Sequence, residues 1–501
     1  MKLNYKRTIL VGFAFFLISA FWQAYDAIVP LALTNHFGLP QSISGVVMSV
    51  DNILAVFMLP LFGAISDKVS TRMGKRTPFI LVGTIAAVVA FISLTLIDSY
   101  QLGAVLDAGI ADRYQSAAAM LKEANNNLKL AGKAGDAEAV AIAQAAIDSI
   151  NATIEQIRVD TLSITLGNLW PVISFIGVLL LTLIAMATFR SPAVALMPDV
   201  TLKPLRSKGN AIINLMGTAG GIIVLVLGMI FKTSANKYMQ YTGYVIAVCA
   251  IMITGLCIFI ATVKERKWAE EMEQRTRELG LDEPAESKTN VGEKARKLSS
   301  GELKSLILIL ASVALWYIGY NSITSKYSVY ATNVLFFDFN FTLIIAQAAA
   351  VIAYIPVGII ASKIGRRKTI LAGIIMLASA FFIGNFINFD TPEIVMYPVF
   401  ILAGIGWATI NVNSFPMVVE LAKGGEVGKY TGYYYTASMA AQIVAPILSG
   451  FLYDAFTMRA MFFSFGTVFV ALSFVTMFFV RHGDARPETQ GALESLAGAD
   501  D

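Results

Sequence analysis

The chain has 501 residues, 56% of them hydrophobic and 14% charged, with a mean hydropathy of +0.67, which excludes a soluble globule and leaves a membrane-embedded protein. Cys249 and Cys257 share one apolar run and read as buried free thiols, while His36 and His482 read as isolated loop and tail positions, so a disulfide framework, redox chemistry and a metal-ligand cluster are excluded. The net charge of +4 is small, and the placement of Lys and Arg carries more than their sum.

A bilayer core about 30 Å thick takes roughly 20 apolar residues per helix. Twelve runs of that kind occur, at 8–33, 43–66, 78–99, 171–198, 209–231, 241–263, 303–325, 341–361, 370–388, 394–420, 430–453 and 460–480. Span 1 follows Lys2, Lys6 and Arg7 as a signal peptide would, but Trp22 stands where a cleavage site needs small residues, and the apolar run continues through Ile28 to Leu33. Lys68, Arg72, Lys75 and Arg76 follow span 2, Lys203, Arg206 and Lys208 follow span 4, and the basic run 363–368 follows span 8. All fall on one side, so both termini are expected in the cytoplasm of a plasma (inner) membrane protein.

This gives a first six-helix bundle over 1–263, a cytoplasmic linker over 264–302, a second bundle over 303–480 and a cytoplasmic tail over 481–501. The linker's Lys264–Leu279 part reads as a solvated helix. Between spans 3 and 4, on the outer side, the Ala-rich segment of about 100–160 reads as a hairpin of two amphipathic helices, 102–130 and 137–158, with Gly132–Asp136 as the turn and Asp136 as an N-cap.

The stretch from Gly63 to Phe79 concentrates charge between Asp67 and Arg76. Glycines at 63 and 74 permit close packing and a sharp reversal, and Asp67 can pair with Arg72 or a neighbouring helix, which reads as a latch. The pattern recurs after span 8, where PVGIIASKIGRRKTI (Pro356–Ile370) repeats PLFGAISDKVSTRMGKRTPFI (Pro60–Ile80) with a shortened middle, and YDAI at Tyr25–Ile28 has its echo in YNSI at Tyr320–Ile323. Two halves of six spans are parallel repeats about an axis along the membrane normal.

Three ionisable residues lie within spans, where a charge at the bilayer centre costs about 2.5–3.5 kcal/mol and is usually put to use. Asp26 and Asp51 each lie about eight residues from the outer end of their spans, roughly 12 Å deep, and Arg190 is within reach of the same level from the inner end of span 4. Buried carboxyls beside a guanidinium can bind and release a proton. Asp26 has a local alternative as partner of a kink at Pro30, Asp51 as a helix contact beside Asn52, and Arg190 as a side chain snorkelling inward. Aromatic faces and amides suit a polyhydroxylated ligand, since an unpaired buried hydroxyl costs about 1–3 kcal/mol; the candidates are Trp22, Gln23, Tyr25, Asn52, Trp316, Tyr320, Asn321, Gln347, Asn411, Asn413, Tyr434 and Gln442.

The chain resembles the major facilitator superfamily, whose loop between helices 2 and 3 has a motif that Gly63, Asp67, Arg72, Gly74, Lys75 and Arg76 fit with one extra residue before the first Arg; Gly365, Arg366 and Arg367 are its second copy. SDKVSTRMGKRTPF, RSPAVALMPD (Arg190–Asp199) and WATINVNSFPMVVE (Trp407–Glu420) are similar to the glycoside, pentoside and hexuronide cation symporters and to sucrose/proton symporters. The resemblance implies an all-α membrane protein of twelve transmembrane helices in two pseudo-symmetric bundles that imports a glycoside such as sucrose or maltose; no cofactor and a monomer are expected, and the buried Asp26, Asp51 and Arg190 are expected to couple import to a proton. Sodium-coupled relatives carry D-x-x-x-D on helix 2, whereas Asp51 is followed by Ala55, which favours a proton over sodium. The other readings are a sodium-coupled glycoside symporter, a drug or amphiphile exporter and a non-transporting sensor scaffold. No phosphate-binding loop is present and nothing points to nucleic acid; the expected partners are a sugar, a proton and the bilayer.

Overall fold

The computed structural model describes residues 3–202, 205–279, 299–421 and 427–483; Lys203, the middle of the linker and most of the expected tail lie outside the described residues. The helices run α1 Tyr5–Leu31, α2 Gln41–Lys68, α3 Thr77–Asp107, α4 Ile110–Ala134, α5 Ala137–Gly167, α6 Trp170–Asp199, α7 Arg206–Ile230, α8 Thr242–Thr262, α9 Glu265–Glu278, α10 Ser300–Thr324, α11 Tyr327–Tyr330, α12 Phe339–Ile364, α13 Arg366–Gly384, α14 Met396–Val419, α15 Val427–Phe456 and α16 Met458–Phe478. Twelve are long and apolar enough to cross a membrane: α1, α2, α3, α6, α7, α8, α10, α12, α13, α14, α15 and α16. Hydrocarbon offers backbone groups no partners, so each crossing satisfies its own N–H and C=O groups internally.

Packing reproduces the repeat seen in the sequence. In the first half α1 lies against α7 and α8, α3 against α6 and α8, and α2 against α6. In the second half α10 lies against α15 and α16, α13 against α14 and α16, and α12 against α14. Mapping α1, α2, α3, α6, α7 and α8 onto α10, α12, α13, α14, α15 and α16 turns one set of contacts into the other. The same mapping exchanges the two main contacts between halves, α2 with α15 and α7 with α12, as a two-fold axis requires. Gly45 makes the first of these possible: a Cβ there would stand 2.0 Å from the carbonyl oxygen of Pro446 on α15.

One end of the bundle, here the basic face, carries the N-terminus, the turn 69–76 and α9; the other, the hairpin face, carries α4 and α5. The halves are tied together at the hairpin face. Asp454 on α15 accepts hydrogen bonds from the backbone N–H groups of Gln41 and Ser42, both at 2.8 Å, and so caps the start of α2 across the interface. Lys326, fully buried, donates to Ser44, and Asn333 donates to Asn35 at 2.7 Å.

Five local expectations change. The hairpin's first helix does not start at 102: α3 continues unbroken to Asp107, and the chain turns at Gly109, whose φ of +68° suits glycine. The second helix runs on to Gly167, while Asp136 caps it as expected, accepting from the N–H groups of Glu138 and Ala139. The linker helix α9 is docked rather than solvated, because Glu265 and Trp268 are buried and Arg7 reaches Glu271 at 2.8 Å. His36 is no loop residue; it is buried at the end of span 1 with Nδ1 2.7 Å from Asp98. Cys249 is buried but Cys257 is exposed on its helix.

Candidate functional site

Midway through the bundle a cavity of about 190 Å³ is lined by α1 (Trp22, Asp26), α2 (Met48, Asp51, Asn52), α6 (Arg190), α10 and the turn after it (Asn321, Thr324, Ser325), and α15 (Gln442, Pro446). Both halves contribute. Seven of the residues singled out from sequence meet here: Trp22, Asp26, Asn52, Asp51, Arg190, Asn321 and Gln442. Each projects from an apolar membrane-crossing helix whose remaining faces are either packed or, as at Phe57 on α2 and Phe451 on α15, exposed and apolar, so the polar side chains gather at the cavity.

Asp26 is exposed to this space, and its carboxylate has no hydrogen-bond or ion-pair partner among the described residues. Asp51 and Arg190 are half-buried; Asp51 accepts from the Asn52 amide at 2.8 Å. The carboxylates lie within electrostatic range of each other, and Arg190 within range of Asp51. The guanidinium also stands 5.6 Å from the centroid of the Trp22 ring, a cation–π contact that holds it at the cavity wall rather than at the basic face. The Trp22 indole N–H has no hydrogen-bond partner among the described residues.

Beside the cavity the Gln347 amide donates to Gln23 at 2.6 Å, joining α12 to α1 across the halves. Tyr320 stacks on Trp407 with centroids 5.8 Å apart and lies close enough to Asp26 to sense its charge. The other candidates sit behind the wall. Tyr25 is buried against Phe21 and Trp22, Trp316 is buried and stacked on Tyr317, and Tyr434 is buried against Phe415 and Tyr435. Asn411 and Asn413 are buried in α14, where the Asn413 amide donates back to the carbonyl of Thr409. These five do not line the cavity. Sequence showed their type and depth but not the helix rotation that turns them into the packing.

At the basic face the latch is built on Arg76, not Arg72. The Arg76 guanidinium, 7% exposed, donates to Asp67 at the end of α2, to Asp199 at the end of α6 at 2.9 Å, and to Ser66. Burial opposes its charge, but the hydrogen bonds and attraction from Asp199 and then Asp67 hold its pKa above the ordinary arginine value. Gly63 lies against Ser191 on α6. Gly74 has φ +118°, and a Cβ would strike the Glu265 carboxylate at 2.3 Å, so two separate demands exclude other residues. Glu265, which sequence reading passed over as one charge in a mixed linker, accepts from the N–H groups of Lys75, Arg76 and Thr77 at 2.6, 2.9 and 2.7 Å and from the Thr77 hydroxyl, capping α3. In the second half Gly365 makes the turn with φ +92°, Arg366 pairs with Glu420 at 2.7 Å, and Arg367 bonds the last carbonyls of α16.

Comparison with known proteins agrees with this architecture. The family model described as MFS/sugar transport protein matches residues 10–100 and 162–392, more than half of the chain, and one described as Major Facilitator Superfamily matches 306–498. The unmatched stretch in the first of these, 101–161, takes in the end of α3, all of α4 and most of α5. The chain is similar over 98% of its length to the inward-open xylose transporter XylE from E. coli, covering 99% of that chain at 14% identity with a TM-score of 0.58. It is similar to the nucleoside transporter NupG, with 94% and 99% of the chains covered, 14% identity and a TM-score of 0.54. A POT family transporter in complex with 5-aminolevulinic acid superposes over 94% of this chain and 95% of that one with a TM-score of 0.61 at 10% identity. At these identities the likeness is one of fold. The MFS-type transporter ppzB of Metarhizium rileyi is 28% identical over 116 residues, and the match spans 23% of either chain.

Proposed function

Because this chain belongs to the major facilitator superfamily, in the group described as MFS/sugar transport protein, we propose that it is a proton-coupled sugar symporter of the glycoside, pentoside and hexuronide type, importing a disaccharide such as sucrose or maltose by alternating access. The basic face is then the cytoplasmic one, and both termini lie in the cytoplasm. The observation that carries the reading is the cavity itself: two carboxyl groups and a guanidinium share it with an aromatic ring and three amides, drawn from both halves. A sugar stacks on Trp22 and answers Asn52, Asn321 and Gln442 with its hydroxyls. Asp26 and Asp51 carry the proton. Arg190 steadies whichever carboxylate is ionised, so that binding sugar and binding a proton favour each other. Rocking of the halves about their two-fold axis then parts α2 from α15 and opens the hairpin face.

The test is uptake into proteoliposomes containing the purified chain. Accumulation of radiolabelled sucrose or maltose above equilibrium, driven by an inward proton gradient and abolished by a protonophore, is the expected result. Accumulation that follows a sodium gradient instead, or no uptake of any sugar in a panel of glycosides, rejects it.

A further inference from the structure

The first arginine of the basic motif is left out of the latch. Arg76 takes both carboxylates, and Arg72 is exposed with no ion-pair partner among the described residues. It instead lines a cleft of about 330 Å³ between the turn after α2 and the start of α9, together with Lys264 and Lys267. These two lysines are also exposed and unpaired among the described residues. The two acidic groups of the cleft are already engaged: Glu265 is buried under three backbone N–H groups, and Glu270 pairs with Arg266 at 2.9 Å. Apart from Thr77, the remaining wall is apolar, formed by Ile260 on the last turn of α8, by Val263 just after it and by Met73, which is 40% exposed. Three unanswered cations thus stand over the end of a membrane-crossing helix, with an apolar ledge beneath them.

The geometry points to a binding site for an anionic phospholipid in this cleft, its phosphate held by Arg72, Lys264 and Lys267 and the start of its acyl chains lying along Ile260 and Val263. Arg72 supplies the bidentate fork that matches phosphate oxygens. The lysines act as point charges. A zwitterionic lipid offers the same phosphate, but its ammonium group is repelled by the same cations. A bound lipid bridges α9 to the turn that carries Arg76, and so stiffens the latch from outside.

The experiment measures thermal stability of the full-length chain in detergent, titrated with dioleoylphosphatidylglycerol, dioleoylphosphatidylcholine or inorganic phosphate. Stabilisation by the phosphatidylglycerol alone, with half-maximal effect shifted about 100-fold upward in the triple variant R72Q/K264Q/K267Q, is expected from roughly fivefold per cation. A charge-matched control on the hairpin, K122Q/K129Q/K133Q, keeps the wild-type response. The single variant K267Q, an exposed change, gives about a fivefold shift and serves if the triple variant does not fold. Equal stabilisation by both lipids, or an unshifted response in the K267Q and triple variants, overturns the site. Stabilisation by free phosphate equal to that by phosphatidylglycerol overturns the assignment to a lipid.

Discussion

Asp67 and Asp199 of the first half and Glu265 of the linker helix at the basic face, and Asp26 and Asp51 in the middle of the bundle, are acidic side chains held in opposite ways. The first three are answered: Arg76 bridges Asp67 and Asp199, and Glu265 collects the N–H groups that open α3. Asp26 faces open space with no partner among the described residues, and Asp51 has its neighbour Asn52 and the field of Arg190. Charge that is answered fixes geometry, because releasing it leaves unpaired groups at a cost of about 1–3 kcal/mol. Charge left unanswered inside a membrane-crossing helix does not pay for itself in stability, and on the proposed function the cavity carboxylates serve binding and release instead.

Breaking the contrast at its strongest point, Asp26→Asn or Asp51→Asn should reduce gradient-driven sugar accumulation to the equilibrium level while leaving the melting temperature at or above that of the parent; normal accumulation in both variants ends the coupling assignment. Next in size, Arg190→Ala should cut initial uptake at low sugar by on the order of tenfold or more, as expected when a charged hydrogen-bond partner is lost, again with the fold intact by thermal melting. Unaltered kinetics would place the guanidinium outside the site. The answered charges should respond the other way round. Glu265→Gln is expected to lower unfolding stability by about 1–3 kcal/mol through the lost cap, seen as a drop in melting temperature larger than its effect on sugar affinity.

The smallest effect separates the two halves. Arg76→Gln strands two carboxylates and should cost about 2 kcal/mol, whereas Arg366→Gln releases only the pair with Glu420 and should cost about 1 kcal/mol or less. Equal losses in the two melts would mean that the motif's two copies are mechanically equivalent. The sequences argue otherwise, since the segment alignment sets Lys363 where the first half has Asp67.

Much of this architecture is legible in the sequence. Apolar run length located all twelve crossings, because a helix in hydrocarbon has no alternative to a stretch of about 20 apolar residues. Depth counting brought Asp26, Asp51 and Arg190 to one level, since a rise of 1.5 Å per residue converts sequence separation directly into height. Rotation about the helix axis was harder. Tyr25 and Asp26 are adjacent in sequence, yet one is packed and the other faces the cavity, and in a helix apolar on every side no polar stripe marks the inner face. Arg72 and Arg76 were likewise alike in type, and only the turn at Gly74 decides which of them reaches Asp67. Lys326 went unnoticed because it closes an apolar run, where a lysine ordinarily reaches interfacial water; here it is buried between the halves against Ser44.

The most direct test of the central claim is the proton itself. Sucrose or maltose added to lightly buffered, de-energised proteoliposomes should alkalinise the external medium as protons enter with the sugar, and the Asp26→Asn and Asp51→Asn variants should exchange labelled sugar without any such pH change. An equal pH change in variant and parent, or sugar entry without one in the parent, would contradict the assignment of the cavity carboxylates as the carriers of the proton.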